Sequence, residues 1–135
     1  MEDLVEGFIK QTGAEYYKEM YITDIEKKWG VDLSAISAEG TSTKRWDFVV
    51  KTDKTIYVIE TNFYGGGGSK LNETARSYKM IAEEARDVIG VEFVWVTDGG
   101  GWRSARRNLE ETFNTMQHLY NIDDMENGVF LSLFS

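Results

Sequence analysis

Cysteine and proline are absent from these 135 residues, histidine occurs once, and no long uninterrupted apolar run is present. Without cysteine there are no disulfides and no thiolate metal ligands, so composition leaves the redox compartment open. A membrane-crossing helix needs about 18 or more apolar residues in succession, and none is found. The basic-then-apolar pattern of a secretory signal is missing as well, so the cytoplasm is the expected location. With no proline, sharp turns fall to glycine, and the 13 glycines cluster at 65–68 and 99–101. Such clusters mark turns at set places rather than general flexibility. Basic excess is also lacking: the formal net charge is −8. That counts against a phosphate-binding surface built by this chain alone.

What is present is ordinary for a soluble globular protein, with 41% hydrophobic and 28% charged residues. The length suits one domain, 1–135, with one continuous core. Residues 2–12 read as an amphipathic helix with Leu4, Val5, Phe8 and Ile9 as its stripe and Gly13 as its stop. Glu2 falls at the edge of that stripe and Glu6 one turn on. Tyr16–Tyr21 fits helix or strand. Thr23-Asp24-Ile25-Glu26 has the form of a capping box opening a short helix that closes at Gly30, and 31–44 reads as a polar loop. A helix over 70–89 carries Leu71, Ala75, Tyr78, Ala82, Ala85 and Ile89 on one side. Val91–Thr97 is a buried strand, 103–119 a further helix bearing His118 in a structural role, and 121–134 a short helix with a final strand or plug. The four tryptophans are expected in the core.

Arg45–Lys51 and Thr55–Phe63 are β-rich runs flanking Asp53-Lys54, a hairpin signature. A two-residue turn makes paired positions sum to 107, which sets Asp47 across from Glu60 and Arg45 across from Asn62. Opposed side chains on neighbouring strands have Cβ atoms about 4.5–5.5 Å apart. Two carboxylates at that distance repel unless a positive charge lies between them. Magnesium is held in this way, by one or two carboxylates with water and substrate phosphate completing its shell, and hydrolysis of a phosphodiester needs such a cation. A third carboxylate from the first helix, Glu2 ahead of Glu6, could reach the same edge. Plainer readings exist: Asp47 as an edge-strand charge, Glu60 paired with Arg45 or Lys51, Glu2 serving the helix dipole. Against them, Glu60 closes the apolar run Tyr57-Val58-Ile59, where an unpaired charge is costly.

Trp46-Asp47 in one strand and Glu60-Thr61-Asn62 in the next resemble the PD-(D/E)XK nuclease fold, in its ExN variant. The stretches IETNFYGGGGSKLNETARSYK (59–79), VWVTDGGGW (94–102) and LYNIDDMENGVF (119–130) are similar to the catalytic portion of type II restriction endonucleases of the DpnII/MboI kind. This resemblance implies an α/β fold with a central mixed β-sheet flanked by α-helices. It implies Mg2+-dependent hydrolysis of double-stranded DNA, at GATC, with Mn2+ as a substitute ion. Cutting both strands of a palindrome makes a homodimer the natural assembly. The family carries additional N-terminal sequence, so 1–135 would be the catalytic portion of a longer enzyme with a separate N-terminal DNA-recognition region.

In that resemblance Asp47 and Glu60 bind the metal with help from Glu2, and Asn62 stands where a lysine is usual. Asparagine donates a hydrogen bond but brings no charge, so a substitute cation is expected nearby. Lys70, at the start of the helix after the glycine run, is the candidate, with Glu73 supporting the metal shell. Lys70, Arg76, Arg103, Arg106 and Arg107 are the candidate DNA contacts, each of which also reads as a solvated surface charge. The glycine run is not a phosphate loop of the Walker type, because the GKS/T ending is missing. A catalytically weak or inactive nuclease-like domain serving DNA or protein binding is the alternative, favoured by Asn62 and the negative charge. A small acidic binding module unrelated to DNA is a third reading.

Overall fold

The computed structural model describes residues 2–36, 44–63, 69–98 and 116–134, apart from the side chains of 69–72. In chain order the elements are α1 (Glu2–Gln11), β1 (Glu15–Tyr21), α2 (Ile22–Trp29), β2 (Arg45–Lys51), β3 (Ile56–Phe63), α3 (Ser69–Ala85), β4 (Val91–Asp98), β5 (Leu119–Tyr120), α4 (Ile122–Glu126) and α5 (Val129–Leu133). The five strands lie side by side in the order β1-β2-β3-β4-β5. The pairs β1–β2 and β2–β3 are antiparallel, whereas β3–β4 and β4–β5 are parallel. α3 makes the crossover between β3 and β4 that a parallel pair requires. This is the mixed sheet flanked by helices that the resemblance implied.

Each face of the sheet is covered. On one, Ile22 and Ile25 of α2 and Ala75, Ile81 and Ala85 of α3 pack on Val49, Val58, Phe93 and Trp95. On the other, Val5 and Ile9 of α1, Met125 of α4 and Phe130 of α5 pack on Phe48, Ile59, Val94 and Val96. β4 is buried on both sides, which explains its nearly continuous apolar sequence. The hairpin closes as its two-residue turn predicts: Thr52 N donates to Thr55 O at 2.9 Å, and Phe48↔Ile59 through Lys51↔Ile56 all sum to 107.

Several sequence expectations are corrected. Tyr16–Tyr21 is strand, completing the antiparallel edge of the sheet against β2. α2 begins at Ile22, with Asp24 accepting from Tyr21 N, and Glu26 instead accepts from Leu33 N at 2.9 Å. α3 stops at Ala85, so Ile89, the last member of the expected stripe, is 98% exposed. The helix expected over 103–119 does not reach its end: Leu119–Tyr120 is strand, and Trp95 N donates to His118 O at 2.9 Å. The edge of β4 needs hydrogen-bond partners there, and that need overrides local helix preference. Residues 103–115 of that expected helix lie outside the described residues. The tail folds as two short helices, with Phe130 and Phe134 forming the expected plug.

Candidate active site

The site forms where β2 and β3 part. Their ladder ends at Phe48↔Ile59; beyond it β2 pairs only with β1, and β3 only with β4, from Glu60↔Trp95 to Phe63↔Asp98. Asp47 and Glu60 are the next residues past the last rung. Across from Asp47 on β1, between the pairs Lys18↔Phe48 and Met20↔Trp46, lies Glu19, whose φ is +56°. A non-glycine residue in this region is strained, and the strain sits opposite Asp47. Strict alternation is lost at the same level: Trp46 joins the core under α3, whereas Phe48, two residues on, joins the opposite core. Asp47 Oδ2 fills the split, accepting from Thr61 N at 2.8 Å and from Thr61 Oγ1 at 3.1 Å. The carboxylate thus takes over the ladder position that a backbone carbonyl would hold.

Around Asp47 the acids converge. Glu60 is 5% exposed, and burial pushes its carboxyl up to about 8; Asp47 acts in the same direction, and Lys44 opposes it. Glu2, at the start of α1, is also raised, first by desolvation and then by Asp47 on its flank, with Glu19 adding to the effect. Glu6 is turned elsewhere, accepting from Tyr16 Oη at 2.7 Å and Lys18 Nζ at 3.2 Å. Among the described residues, no three acidic or histidine side chains are arranged to enclose an ion unaided. A magnesium ion does not need them, since water and phosphate oxygens supply the rest of its octahedron. The donor chemistry therefore fits a divalent cation: two oxygen acids in contact, one of them buried, with Glu2 bordering Asp47.

Glu60 is also ion-paired. Its partner is Lys44, whose Nζ contacts Glu60 Oε1. It is neither Arg45, which faces Glu19 at 3.8 Å, nor Lys51, which donates to Thr52 O. The Lys44 ammonium also lies over the rings of Trp46 at 4.8 Å and Tyr78 at 5.8 Å. Two residues past Glu60 on the same side of β3, Asn62 Oδ1 accepts from Trp95 Nε1 at 2.7 Å. An indole only donates, so this contact fixes the flip of the amide: oxygen toward Trp95, the two N–H donors away from it. Trp95 is held in turn by Tyr78, edge to face at 4.9 Å.

The structure thus brings together Asp47, Glu60, Asn62 and, at the border, Glu2. Arg76 and Glu73 are exposed on α3. The side chain of Lys70 lies outside the described residues, as do Arg103, Arg106 and Arg107. His118 is off any helix; it is buried, joined to Glu92 at 2.6 Å and Tyr120 at 2.8 Å, and fastens the β5 edge. Sequence reasoning missed Lys44, Thr61, Trp95 and Tyr78. Lys44 had a signal, since a buried Glu60 demands a cation and Lys44 adjoins β2. The other three depend on the parting of the strands and on the β3–β4 register.

The sequence model of the DpnII restriction endonuclease family matches residues 1–131. The chain is 49% identical to the type II restriction enzyme DpnII of Streptococcus pneumoniae over 98% of its own length and 48% of that protein's. It is 46% identical to the type II restriction enzyme MboI of Moraxella bovis over 64% of its length and 31% of the relative's. With the type II restriction enzyme MjaIII of Methanocaldococcus jannaschii it shares 32% identity over 100% of its length and 48% of the relative's. At most it spans about half the length of these curated relatives. No solved structure matches it.

Proposed function

Because the chain belongs to the DpnII restriction endonuclease family, we propose that it carries the catalytic centre of a metal-dependent endonuclease that hydrolyses phosphodiesters of double-stranded DNA. The observation that carries this reading is the meeting of Asp47 and Glu60 in the split between β2 and β3. Asp47 and Glu60 hold the cation, Mg2+ or in its place Mn2+, with Glu2 assisting. The ion supplies a water of lowered pKa and neutralises charge on the phosphate. The chain's own residues do the rest. Thr61 locks Asp47, and Asn62, its amide oriented by Trp95, donates to the attacking water or to a phosphate oxygen. The new P–O bond forms from water as the ester P–O bond opposite breaks, and the leaving oxygen takes up a proton.

The target is GATC, cut on both strands by a homodimer in the cytoplasm. DNA is gripped by Lys70, Arg76, Arg103, Arg106 and Arg107. The residues 1–135 act as the catalytic domain of a longer enzyme whose remaining part contributes recognition and the basic surface that a chain of net charge −8 lacks. Asparagine at position 62 and the negative charge also favour a second reading, a domain that binds but cleaves weakly. Cleavage of plasmids with and without GATC, methylated and unmethylated, separates the two. Magnesium-dependent cutting, lost in Asp47→Ala and Glu60→Ala, supports the nuclease. Binding of magnesium and DNA without cutting supports the second reading.

A further inference from the structure

We propose that Lys44 is the cationic group this chain uses in place of a lysine at position 62, and that it works by exchange. Its ammonium rests on Glu60 while the site is metal-free. It turns to a non-bridging oxygen of the scissile phosphate once a divalent ion takes that carboxylate. The inference rests on the nuclease reading above and adds a residue to it.

Four observations carry it. Lys44 is seated on Glu60, the more buried of the two acids. Its side chain is 25% exposed against 6% for Glu60, so the lysine reaches solvent where the carboxylate does not. Its backbone is fixed, because Ile22 N donates to Lys44 O at 3.2 Å, while its four-carbon stem leaves the ammonium free to reorient. Finally, the ammonium lies over the Trp46 and Tyr78 rings while it is paired with Glu60, so part of its hold on the site does not depend on the carboxylate. Other described basic groups near β1 and β2 are engaged elsewhere: Lys18 with Glu6, Arg45 with Glu19, Lys51 with Thr52 O. In the reaction Lys44 keeps its proton and contributes charge alone. It stabilises the phosphate oxygens as the water–phosphorus bond forms and the ester bond breaks.

The test uses Lys44→Met, with Lys44→Gln as a second neutral variant and Lys44→Arg as the charge-keeping one, in metal-binding and cleavage measurements. Mn2+ is titrated calorimetrically into the metal-free proteins. Measured at a pH above the Glu60 titration, where proton competition does not offset the effect, loss of a competing cation should tighten Mn2+ binding about tenfold in both neutral variants. At saturating Mn2+ their single-turnover cleavage should be slower by about a hundredfold or more, with partial recovery in Lys44→Arg. Unchanged Mn2+ affinity, or undiminished cleavage, in a neutral variant that keeps the wild-type circular-dichroism melt would overturn the exchange. So would loss of cleavage in Lys70→Met with Lys44→Met unaffected. A wild-type protein that binds Mn2+ but cuts nothing overturns the nuclease reading and the phosphate half of the inference. The affinity comparison then decides the Lys44–Glu60 half by itself.

Discussion

At the scale of the residue, the site crowds acids around Asp47, an arrangement that a cation would relieve. Asp47 lies against two other acids, each raised above its ordinary range in part by that contact. Asp47→Asn keeps an acceptor for Thr61 and removes the like charge. Urea unfolding should therefore show the metal-free variant stabilised by about 1 kcal/mol, with the wild type alone gaining from added Mg2+. Glu60 gives a pH dependence whose sign follows from its position. Its folded value of about 8 stands above the ordinary 4.5, so the stability contributed by the neutral carboxyl is full below the lower value and lost as pH rises through the higher. In the proposed site a divalent ion would have to displace that proton. Calorimetric affinity for Mn2+ should climb from about pH 6 to about pH 8, with close to one proton released per ion at the lower end. A flat profile would mean that Glu60 does not ligate.

At the scale of the element, legibility divides cleanly. The 107 register was readable because a two-residue turn dictates strand pairing by itself, and Asp47 and Glu60 follow from it. The parting of the strands past Phe48↔Ile59 was not readable, because it depends on a third strand, β1, whose Glu19 takes a positive φ opposite Asp47. For that reason Arg45, expected across from Asn62, pairs outward with Glu19, and Lys44 takes the inner place. The end of α3 was misplaced by one turn, since apolar periodicity continues to Ile89 although nothing packs on it. Gly90, with φ of +83° and Lys54 O within 3.5 Å of where a Cβ would stand, sets the entry to β4. Gly90→Ala should lower stability by about 1–2 kcal/mol in a thermal or urea melt. Its Mn2+ affinity should stay at the wild-type value, because Glu60 and Asn62 lie toward the other end of the β3–β4 pair.

At the scale of the whole molecule, the fold class was legible and the proposed surface for DNA was not. Apolar strands and one-sided helices prescribe a sheet covered by helices, and the family resemblance adds that the sheet is mixed, whereas a net charge of −8 hides any site that acts on a polyanion. The two facts agree if the cation itself supplies much of the attraction for DNA. Affinity for a GATC duplex should then rise by about tenfold or more when Ca2+ is added, and this rise should vanish in Asp47→Asn. Fluorescence anisotropy with labelled duplex reads both. An equal rise in the variant would place the divalent ion elsewhere, on the DNA or on another surface.

The central claim, that Asp47 and Glu60 share one cation, is tested most directly by anomalous diffraction from crystals soaked in Mn2+. A single strong peak within about 2.0–2.4 Å of oxygens from both carboxylates, with Lys44 moved off Glu60, is the expected result. A saturating soak that leaves the Asp47–Glu60 gap empty, with the Lys44 ion pair intact, would contradict it.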